Sequence, residues 1–447
     1  MLTAAVVSGP AAAIVPPHPR PTDLVRSAPV APESPTEQRT VCARPVPQPG
    51  RTEPSAAQAM LNLPELWRFS RGGGQRVAVI DTGVTPHPRL HRLRGGGDYV
   101  STGNGLADCD AHGTLVAGLI GAAPADSDAF AGVAPDAAII SIRQSSSAFD
   151  ARDRRADSDP AVGAGYGSVR TLAHAVVRAV DLGATVINIS EVACVPVGTR
   201  PADNQLGAAV RYARERDIVV VVAAGNLSTG SGCTRQNPPP DPTDPDGWDS
   251  VATIASPAWF DDDVLAVGAV DAGTGAPSGF SLHGPWVDVA APGTGIVSLD
   301  STPGSRGLVA AQRGTEGPVP LVGTSFAAPF VAGTVALVRA RYPRLSADEV
   351  IDRIVATAHA PGTGRDQVVG HGVIDPLAAL TAEFPGTPRP DPNRTRPIAA
   401  PAPEPAADHR PRSIALVGAG LCVTAVAVVL AVSLPHRRVR RLDPDEF

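Results

Sequence analysis

The chain has 447 residues, which is long enough for one large α/β domain with appendages. Its formal net charge of −6 is too mild to suggest a nucleic-acid partner. All 38 basic residues are arginine, and we assign this bias no function.

The first 60 residues differ in composition from the rest of the chain. Residues 1–13 are small and apolar and end in three alanines, which favours the tail of a signal peptide without its basic start over an ordinary disordered terminus. Residues 14–60 form a proline-rich extension that is too short and too rich in proline to fold as a removable prodomain. We expect an extended strap or a disordered arm there.

Residues 61–383 are predicted to form the main domain. Two of its early segments have, at one end, a residue that suits catalysis. The apolar run Val77–Ile80 predicts a buried parallel strand that ends at Asp81. Further along, His112 opens an apolar helix. Catalytic groups of open α/β sheets collect at the carboxyl ends of the strands, so both residues are candidates.

The middle of the domain alternates strands with helices. We predict strands at Ala138–Ile142, Val186–Ile189, Ile218–Ala223, Leu265–Val270 and Val287–Ala290, and helices at Val169–Leu182 and Gln205–Glu215. This alternation predicts an α/β fold with a mostly parallel sheet flanked by helices. The stretch between Ile142 and Val169, rich in Ser, Asp, Arg and Gly, is expected to be a solvated loop, with a partner-contact surface as the less favoured alternative.

Two later segments carry further candidates. The strand that runs to Ala223 is followed by Gly225 and Asn226. Ser325 lies between a small-residue turn and an apolar run, as a nucleophile does at the N-terminus of a buried helix. Taken alone, these residues also fit a turn asparagine and a helix cap.

Taken together, the segments resemble the subtilisin-like serine proteases (peptidase S8) from about Leu61 to Glu383. Asp81, His112 and Ser325 follow one another in the order of that family. Within it, the chain is most similar to the mycosins, the membrane-anchored proteases of actinobacterial type VII secretion systems. Residues 36–42, Leu115 after His-Gly-Thr, residues 188–194 and the C-terminal apolar run carry that resemblance.

The resemblance implies a role for each catalytic candidate. Ser325 would attack the peptide carbonyl, His112 would take its proton, and Asp81 would orient His112. The Asn226 side chain and the Ser325 backbone N–H would bind the oxyanion that forms.

The resemblance also implies a substrate pocket flanked by Ser190, Glu191, Ala224 and Gly225. Glu191 would either make this pocket acidic or point to solvent. No cofactor is implied. We predict no metal site, because consecutive loop acids such as Asp261–Asp263 are more often solvated than bound to calcium.

The five cysteines suggest an exported protein with disulfides. Cys422 lies in the C-terminal apolar run, which leaves Cys42, Cys109, Cys194 and Cys233 and three possible pairings. The loops of Cys194 and Cys233 are expected at the same edge of the sheet. We therefore favour that pair, with Cys42 bonded to Cys109 and the extension fastened three residues before His112.

The C-terminal region predicts a membrane anchor. Residues 384–412 form a Pro/Ala-rich linker, and residues 413–434 contain an uncharged apolar run of 21 residues, long enough for a transmembrane helix. Arginines in the tail, residues 435–447, place that tail in the cytoplasm by the positive-inside rule.

The predicted function is that of a single-pass cell-membrane serine endopeptidase, with its protease domain outside the cytoplasm, that cuts protein or peptide substrates in association with a type VII secretion complex. The alternative is a chiefly structural part of that complex in which proteolysis is dispensable. Broad degradative proteolysis is disfavoured by the tether and the strap.

Overall fold

The inner strands of the central sheet are mostly apolar because helices cover both faces of the sheet. The computed structural model describes residues 14–48, 53–153, 161–162, 165–228, 232–240, 244, 246–384, 423–428 and 430. The strands within these ranges are β1 Thr36–Gln38, β2 Pro45–Gln48, β3 Arg76–Asp81, β4 Leu93–Asp98, β5 Ala138–Arg143, β6 Phe149–Ala151, β7 Val186–Ile189, β8 Ala193–Pro196, β9 Val219–Ala223, β10 Thr253–Ser256, β11 Leu265–Val270, β12 Val289–Pro292, β13 Ser298–Leu299, β14 Leu308–Gly314 and β15 Gly317–Pro320. The α-helices are α1 Ala56–Leu61, α2 Leu63–Trp67, α3 His112–Gly121, α4 Val169–Asp181, α5 Asn204–Arg214, α6 Thr324–Arg341, α7 Ala347–Thr357 and α8 Pro376–Thr381, with 3-10 turns at Pro21–Asp23 and Asp261–Asp263.

The central sheet has seven strands in the order β12-β11-β9-β7-β3-β5-β4, and every neighbouring pair is parallel. The strand order changes direction at β3, which lies between β5 and β7. Such a point leaves a crevice at the carboxyl ends of the strands. The predicted parallel α/β fold is therefore confirmed, and Asp81 ends the strand at its switch point.

Two hydrophobic cores lie on the two faces of this sheet. Alternate residues of β3 show the division: Val77 and Val79 belong to the core under α3 and α6, whereas Ala78 and Ile80 belong to the core under α4 and α5. The first fifteen residues of α6 are all buried, because this helix packs against β9, β11 and α3. Ser325 is therefore held on a helix that is buried over most of its length.

The N-terminal extension lies against the domain as an extended segment. We call residues 14–48 the strap. Its β1 pairs antiparallel with β6, and its β2 pairs antiparallel with β14. Together β2, β13, β14 and β15 form an antiparallel sheet, here called the strap sheet. Of the two forms expected for this extension, the structure has the strap.

Some predicted boundaries needed correction. The strand predicted at Val287–Ala290 runs instead over Val289–Pro292. The sequence of β4, Leu-Arg-Gly-Gly-Gly-Asp, has no apolar run and was not predicted as a strand; it pairs with β5 at the sheet edge. The expectation of a solvated loop after Ile142 was wrong for residues 143–146, which are buried.

Several predicted segments lie outside the described residues. They are the signal segment 1–13, the linker from residue 385 onwards, and most of the predicted span and tail. Towards the C-terminus the structure describes residues 423–428 and 430, which are helical with exposed side chains. Among the described residues, no helix combines the length and apolar character needed to cross a bilayer.

Candidate active site

Asp81 and His112 meet where β3 ends and α3 begins. The Nδ1 atom of His112 lies 2.7 Å from Oδ1 of Asp81, which is fully buried. Since a carboxylate only accepts hydrogen bonds, Nδ1 carries the proton and Nε2 is left to act as a base. The backbone N–H of Thr82 donates to the same oxygen of Asp81 at 2.7 Å, so the carboxylate is held in one orientation.

Asp108 fixes the start of α3. Its Oδ2 accepts from the backbone N–H and the hydroxyl of Thr114 at 2.8 and 2.6 Å, and its Oδ1 accepts from the Thr82 hydroxyl at 2.9 Å. The Thr82 hydroxyl in turn accepts from the Gly113 backbone N–H at 2.9 Å. These bonds join β3 to α3 on either side of the pair formed by Asp81 and His112. We did not predict Asp108, although an aspartate just before a helix is a recognisable capping signal.

Ser325 and Asn226 come together through Gly323. The Oδ1 atom of Asn226 accepts from the Thr324 backbone N–H at 2.8 Å, which directs Nδ2 away from Thr324. A Cβ at Gly323, whose φ is 151°, would lie 2.9 Å from Ser325 Oγ and 3.4 Å from Asn226 Nδ2. The Ser325 hydroxyl and the Asn226 amide nitrogen therefore face the same small space, which only glycine leaves open. Ser190 supports this arrangement, because its hydroxyl donates to the Ser325 carbonyl at 2.9 Å.

A cleft of about 320 Å³ lies beside Ser325 and His112. His112, Glu191 and Ser325 line it, and the Phe326 ring lies 5.2 Å from the His112 ring. Its lining includes both polar and apolar side chains. The remaining lining residues are Thr82, Asp110, Ser145, Ser147, Gln312, Val319, Pro320, Leu321 and Val322.

Most of these wall residues were not predicted. Ser145 and Ser147 come from the stretch that we had expected to be a solvated loop. Val319 and Pro320 end β15, and Leu321 and Val322 lead to the turn before α6; this mixed apolar and proline sequence gives no periodic signal. Only their proximity to Ser325 in the chain could have suggested a place in the cleft.

The carboxylates near His112 shift the pKa values in the cleft. Burial lowers the pKa of His112, but the Asp81 carboxylate, its hydrogen bond and the nearby Glu191 outweigh burial and raise the pKa to about 9. Burial also raises the pKa of Glu191 to about 7, and the like charge of Asp81 adds to this rise. Ligand-type atoms of Asp81, His112 and Glu191 all lie within 4.8 Å of one another. Because Asp81 and His112 already bond to each other, we interpret this cluster as a set of coupled ionisable groups.

The predicted substrate-binding residues are placed differently from one another. Glu191 lines the cleft. Ser190 is buried and bonded to the Ser325 segment. Ala224 is fully buried in the core, with its N–H bonded to Val267, and the Gly225 N–H donates to the Thr324 hydroxyl at 3.2 Å. Contact of these last two residues with a substrate stays a prediction.

The four cysteines form two disulfides. They join Cys42 to Cys109 and Cys194 to Cys233, with Cα–Cα distances of 4.5 and 5.0 Å. These are the pairs favoured from the sequence. The first bond attaches the strap between Asp108 and Asp110, and the Ala43 N–H donates to the Cys109 carbonyl at 2.7 Å.

Comparison with known proteins agrees with this geometry. The model of the subtilase family matches residues 72–372. Mycosin-1 of Mycobacterium tuberculosis (strain ATCC 25618 / H37Rv) is 47% identical over 445 residues, which cover 97% of this chain and 98% of the relative. The chain belongs to the subtilase family, as a mycosin. It is therefore a serine endopeptidase of the subtilisin type.

Further relatives support this assignment. Mycosin-4 of the same strain is 48% identical over 428 residues, covering 93% of this chain and 90% of the relative. The crystal structure of MycP1 from the ESX-1 type VII secretion system has a TM-score of 0.78 at 47% identity, covering 84% of this mycosin and 98% of that chain. A chain of an intact ESX-5 inner membrane complex has a TM-score of 0.77 at 42% identity, covering 94% and 100%.

Proposed function

We propose that this mycosin hydrolyses peptide bonds of secreted proteins with Asp81, His112 and Ser325 as its catalytic triad. The observation that carries the proposal is the 2.7 Å bond between buried Asp81 and His112, at a cleft that Ser325 also lines. Burying a carboxylate beside a histidine costs desolvation free energy, and such groups with shifted pKa values are concentrated at functional sites.

The proposed chemistry follows from the placement of each group. His112 Nε2 takes the Ser325 proton as Oγ attacks the substrate carbonyl, and later returns it to the leaving amine. Asp81 stabilises the imidazolium in between. Asn226 Nδ2 and the Ser325 backbone N–H donate to the oxyanion, and α6 adds its dipole because Ser325 lies in its first turn.

We further propose that the chain works beside a type VII secretion complex, anchored in the cell membrane. The mycosin relatives and the chain in the ESX-5 inner membrane complex support this proposal. The anchor would be the helix predicted at 413–434, with the protease outside and the tail 435–447 in the cytoplasm. Two disulfides in the domain suit that compartment. Its partners would be protein or peptide substrates and the secretion complex, with no nucleic acid.

A structural role in the secretion complex is the second candidate. The observation that favours it is the similarity to a chain seen within an intact ESX-5 inner membrane complex. Both roles can coexist in one protein. The Ser325→Ala variant distinguishes the proteolytic role from the structural role. If proteolysis is dispensable, this variant would still support secretion, whereas deletion of the chain would stop secretion.

A serine-directed fluorophosphonate tests the triad without a known substrate. We expect the full-length protein in detergent to be labelled, and both Ser325→Ala and His112→Ala to abolish labelling. Ser127→Ala is the matched control, because this exposed serine is not among the cleft residues. Labelling that persists in Ser325→Ala would contradict the proposed nucleophile.

A further inference from the structure

The cleft beside the triad has an acidic wall. Asp110 and Glu191 line it together with the hydroxyls of Ser145 and Ser147. Among the described residues that line the cleft, none is an arginine, so His112 is the one group there that can carry a positive charge. The lining also includes the apolar residues Val319 to Val322 and Phe326. A substrate side chain in this space therefore meets both carboxylates and hydrocarbon.

The two carboxylates of this wall are not equivalent. Both oxygens of Asp110 already accept hydrogen bonds, from the Ser146 hydroxyl and from the backbone and hydroxyl of Ser147. Those bonds hold Asp110 as part of the wall. Glu191 instead has its carboxylate within 4.8 Å of ligand-type atoms of both Asp81 and His112.

The charge around Glu191 is incompletely balanced when His112 is neutral. Asp81 is fully buried, and its Oδ2 has no hydrogen-bond partner among the described residues. Asp81 and Glu191 then repel each other in a partly dehydrated space, which contributes to the raised pKa of Glu191. Asp110 adds further negative charge. A cation from outside the protein would relieve this repulsion.

We propose that Glu191 selects substrates that place a lysine or arginine side chain in this cleft, on the acyl side of the bond that is cut. The inference rests on the proteolytic function proposed above. The position of Glu191 supports the proposal. It directly follows Ser190, whose hydroxyl donates to the Ser325 carbonyl at 2.9 Å, so this segment is tied to the segment of Ser325. The long aliphatic stem of Lys or Arg would contact the apolar lining residues Val319 to Val322.

Peptidyl phosphonate diphenyl esters test this selection. Ser325 Oγ would attack the phosphorus and expel phenoxide, so the rate of covalent labelling reports recognition without a natural substrate. We would compare tetrapeptide probes that carry lysine, norleucine or glutamate at each position in turn, on the full-length protein in detergent at pH 8. We expect lysine to be favoured over norleucine about ten- to a hundredfold at one position or more, the range for a hydrogen bond to a charged group.

Variants of the two wall carboxylates provide the controls. Glu191→Gln should reduce the lysine preference to about twofold or less, and Glu191→Lys should shift the preference towards the glutamate probe. Asp110→Asn should keep most of the lysine preference. Fluorophosphonate labelling of each variant shows that the protein is folded and that Ser325 is reactive.

The outcomes separate this inference from the proposed function. If the wild type reacts with the fluorophosphonate but shows no lysine preference at any position, the selection by Glu191 is wrong while the triad stands. The selection is also wrong if Glu191→Gln keeps the preference, or if Asp110→Asn removes it to the same extent. If the wild type does not react with the fluorophosphonate at all, both proposals are overturned.

Discussion

The catalytic edge of the central sheet and the strap sheet are held together in different ways. At the catalytic edge, buried polar side chains bond to one another over short distances, as Asp81 does with His112 and Asp108 with Thr114. In the strap sheet, β2 and β15 are partly or largely exposed and are joined to β14 by backbone bonds. A disulfide just before β2 adds a link between the strap and a distant segment of the chain. The first region concentrates its function in a few atoms, whereas the second spreads its stability over many.

This difference predicts that the two regions fail differently. A single substitution at the catalytic edge should remove activity and leave the protein folded. A change in the strap should lower the free energy of unfolding and leave the chemistry nearly intact. The following experiments test this contrast in order of expected effect.

Asp81→Asn should lower kcat by about 10⁴-fold, because the amide no longer fixes the correct His112 tautomer. The measurement is peptide hydrolysis, with thermal unfolding alongside. Asp98→Asn is a matched control, since Asp98 is also a buried carboxylate at the end of a strand. It should lower the melting temperature and keep kcat. Comparable activity in Asp81→Asn and the wild type would contradict the triad.

Asn226→Ala should lower kcat by about 100- to 1,000-fold with little change in KM, because it removes an oxyanion donor. Asn226 also holds Thr324 through its Oδ1, so Asn226→Asp is needed as well. The aspartate keeps an acceptor for Thr324 and loses the donor. Wild-type kcat in Asn226→Asp would mean that this side chain only positions the turn before Ser325.

We expect kcat/KM to rise with pH and to reach its maximum in the alkaline range. His112 must be neutral to accept a proton, and its pKa is raised to about 9, so kcat/KM should rise about tenfold per pH unit between pH 7 and 8 and level off above 9. Because Glu191 contributes to that raised pKa, Glu191→Gln should move the rise to lower pH. An unchanged profile in Glu191→Gln would show that the two groups are not coupled.

Replacing Cys42 and Cys109 together by serine should cost about 2–4 kcal/mol of stability, since the bond closes a loop over a sequence separation of 67 residues. Urea unfolding measures the loss. We expect kcat to change by less than about twofold, because the bond touches no catalytic side chain. A loss of activity as large as that of Asn226→Ala, in a protein that is still folded, would show that the strap also shapes the active site.

Asp108→Asn should lower the stability of the protein at neutral pH by about 1–3 kcal/mol, because an amide accepts with one oxygen only, whereas the carboxylate accepts from Thr82 with one oxygen and from Thr114 with the other. Burial raises the folded-state pKa of Asp108 to about 6, so the folded protein holds this proton more tightly than the unfolded chain. The stability that the folded state gains from the proton on Asp108 is therefore fully present below about pH 4 and is lost as pH rises through about 6. The variant should lack this part of the slope in unfolding free energy between pH 4 and 7. An identical slope would mean that Asp108 is ionised without cost.

Much of the catalytic edge could be predicted because its signals are local. Asp81 ends an apolar run, His112 and Ser325 open apolar helices, and each element is recognisable within about ten residues. The buried strands β7 and β11 lie where the sequence placed them.

The strap sheet and the polar wall of the cleft could not be predicted in this way. The strand β2 contains two prolines and pairs only because β14 offers it an edge from the far end of the domain. In the sequence, Ser145 and Ser147 are typical of a loop. In the structure, the Ser147 backbone N–H donates to Asp110, a residue from a distant segment. Both features depend on contacts between distant segments, which no periodicity records.

The pairing of β2 with β14 has a consequence for the order of biogenesis. Residues 45–48 are synthesised early, but their partner strand begins at Leu308, more than 250 residues later. Closing so long a loop is slow relative to local structure. The strap must therefore wait, unpaired at this site, until nearly the whole domain has emerged, and its docking marks the completion of the protease rather than its start.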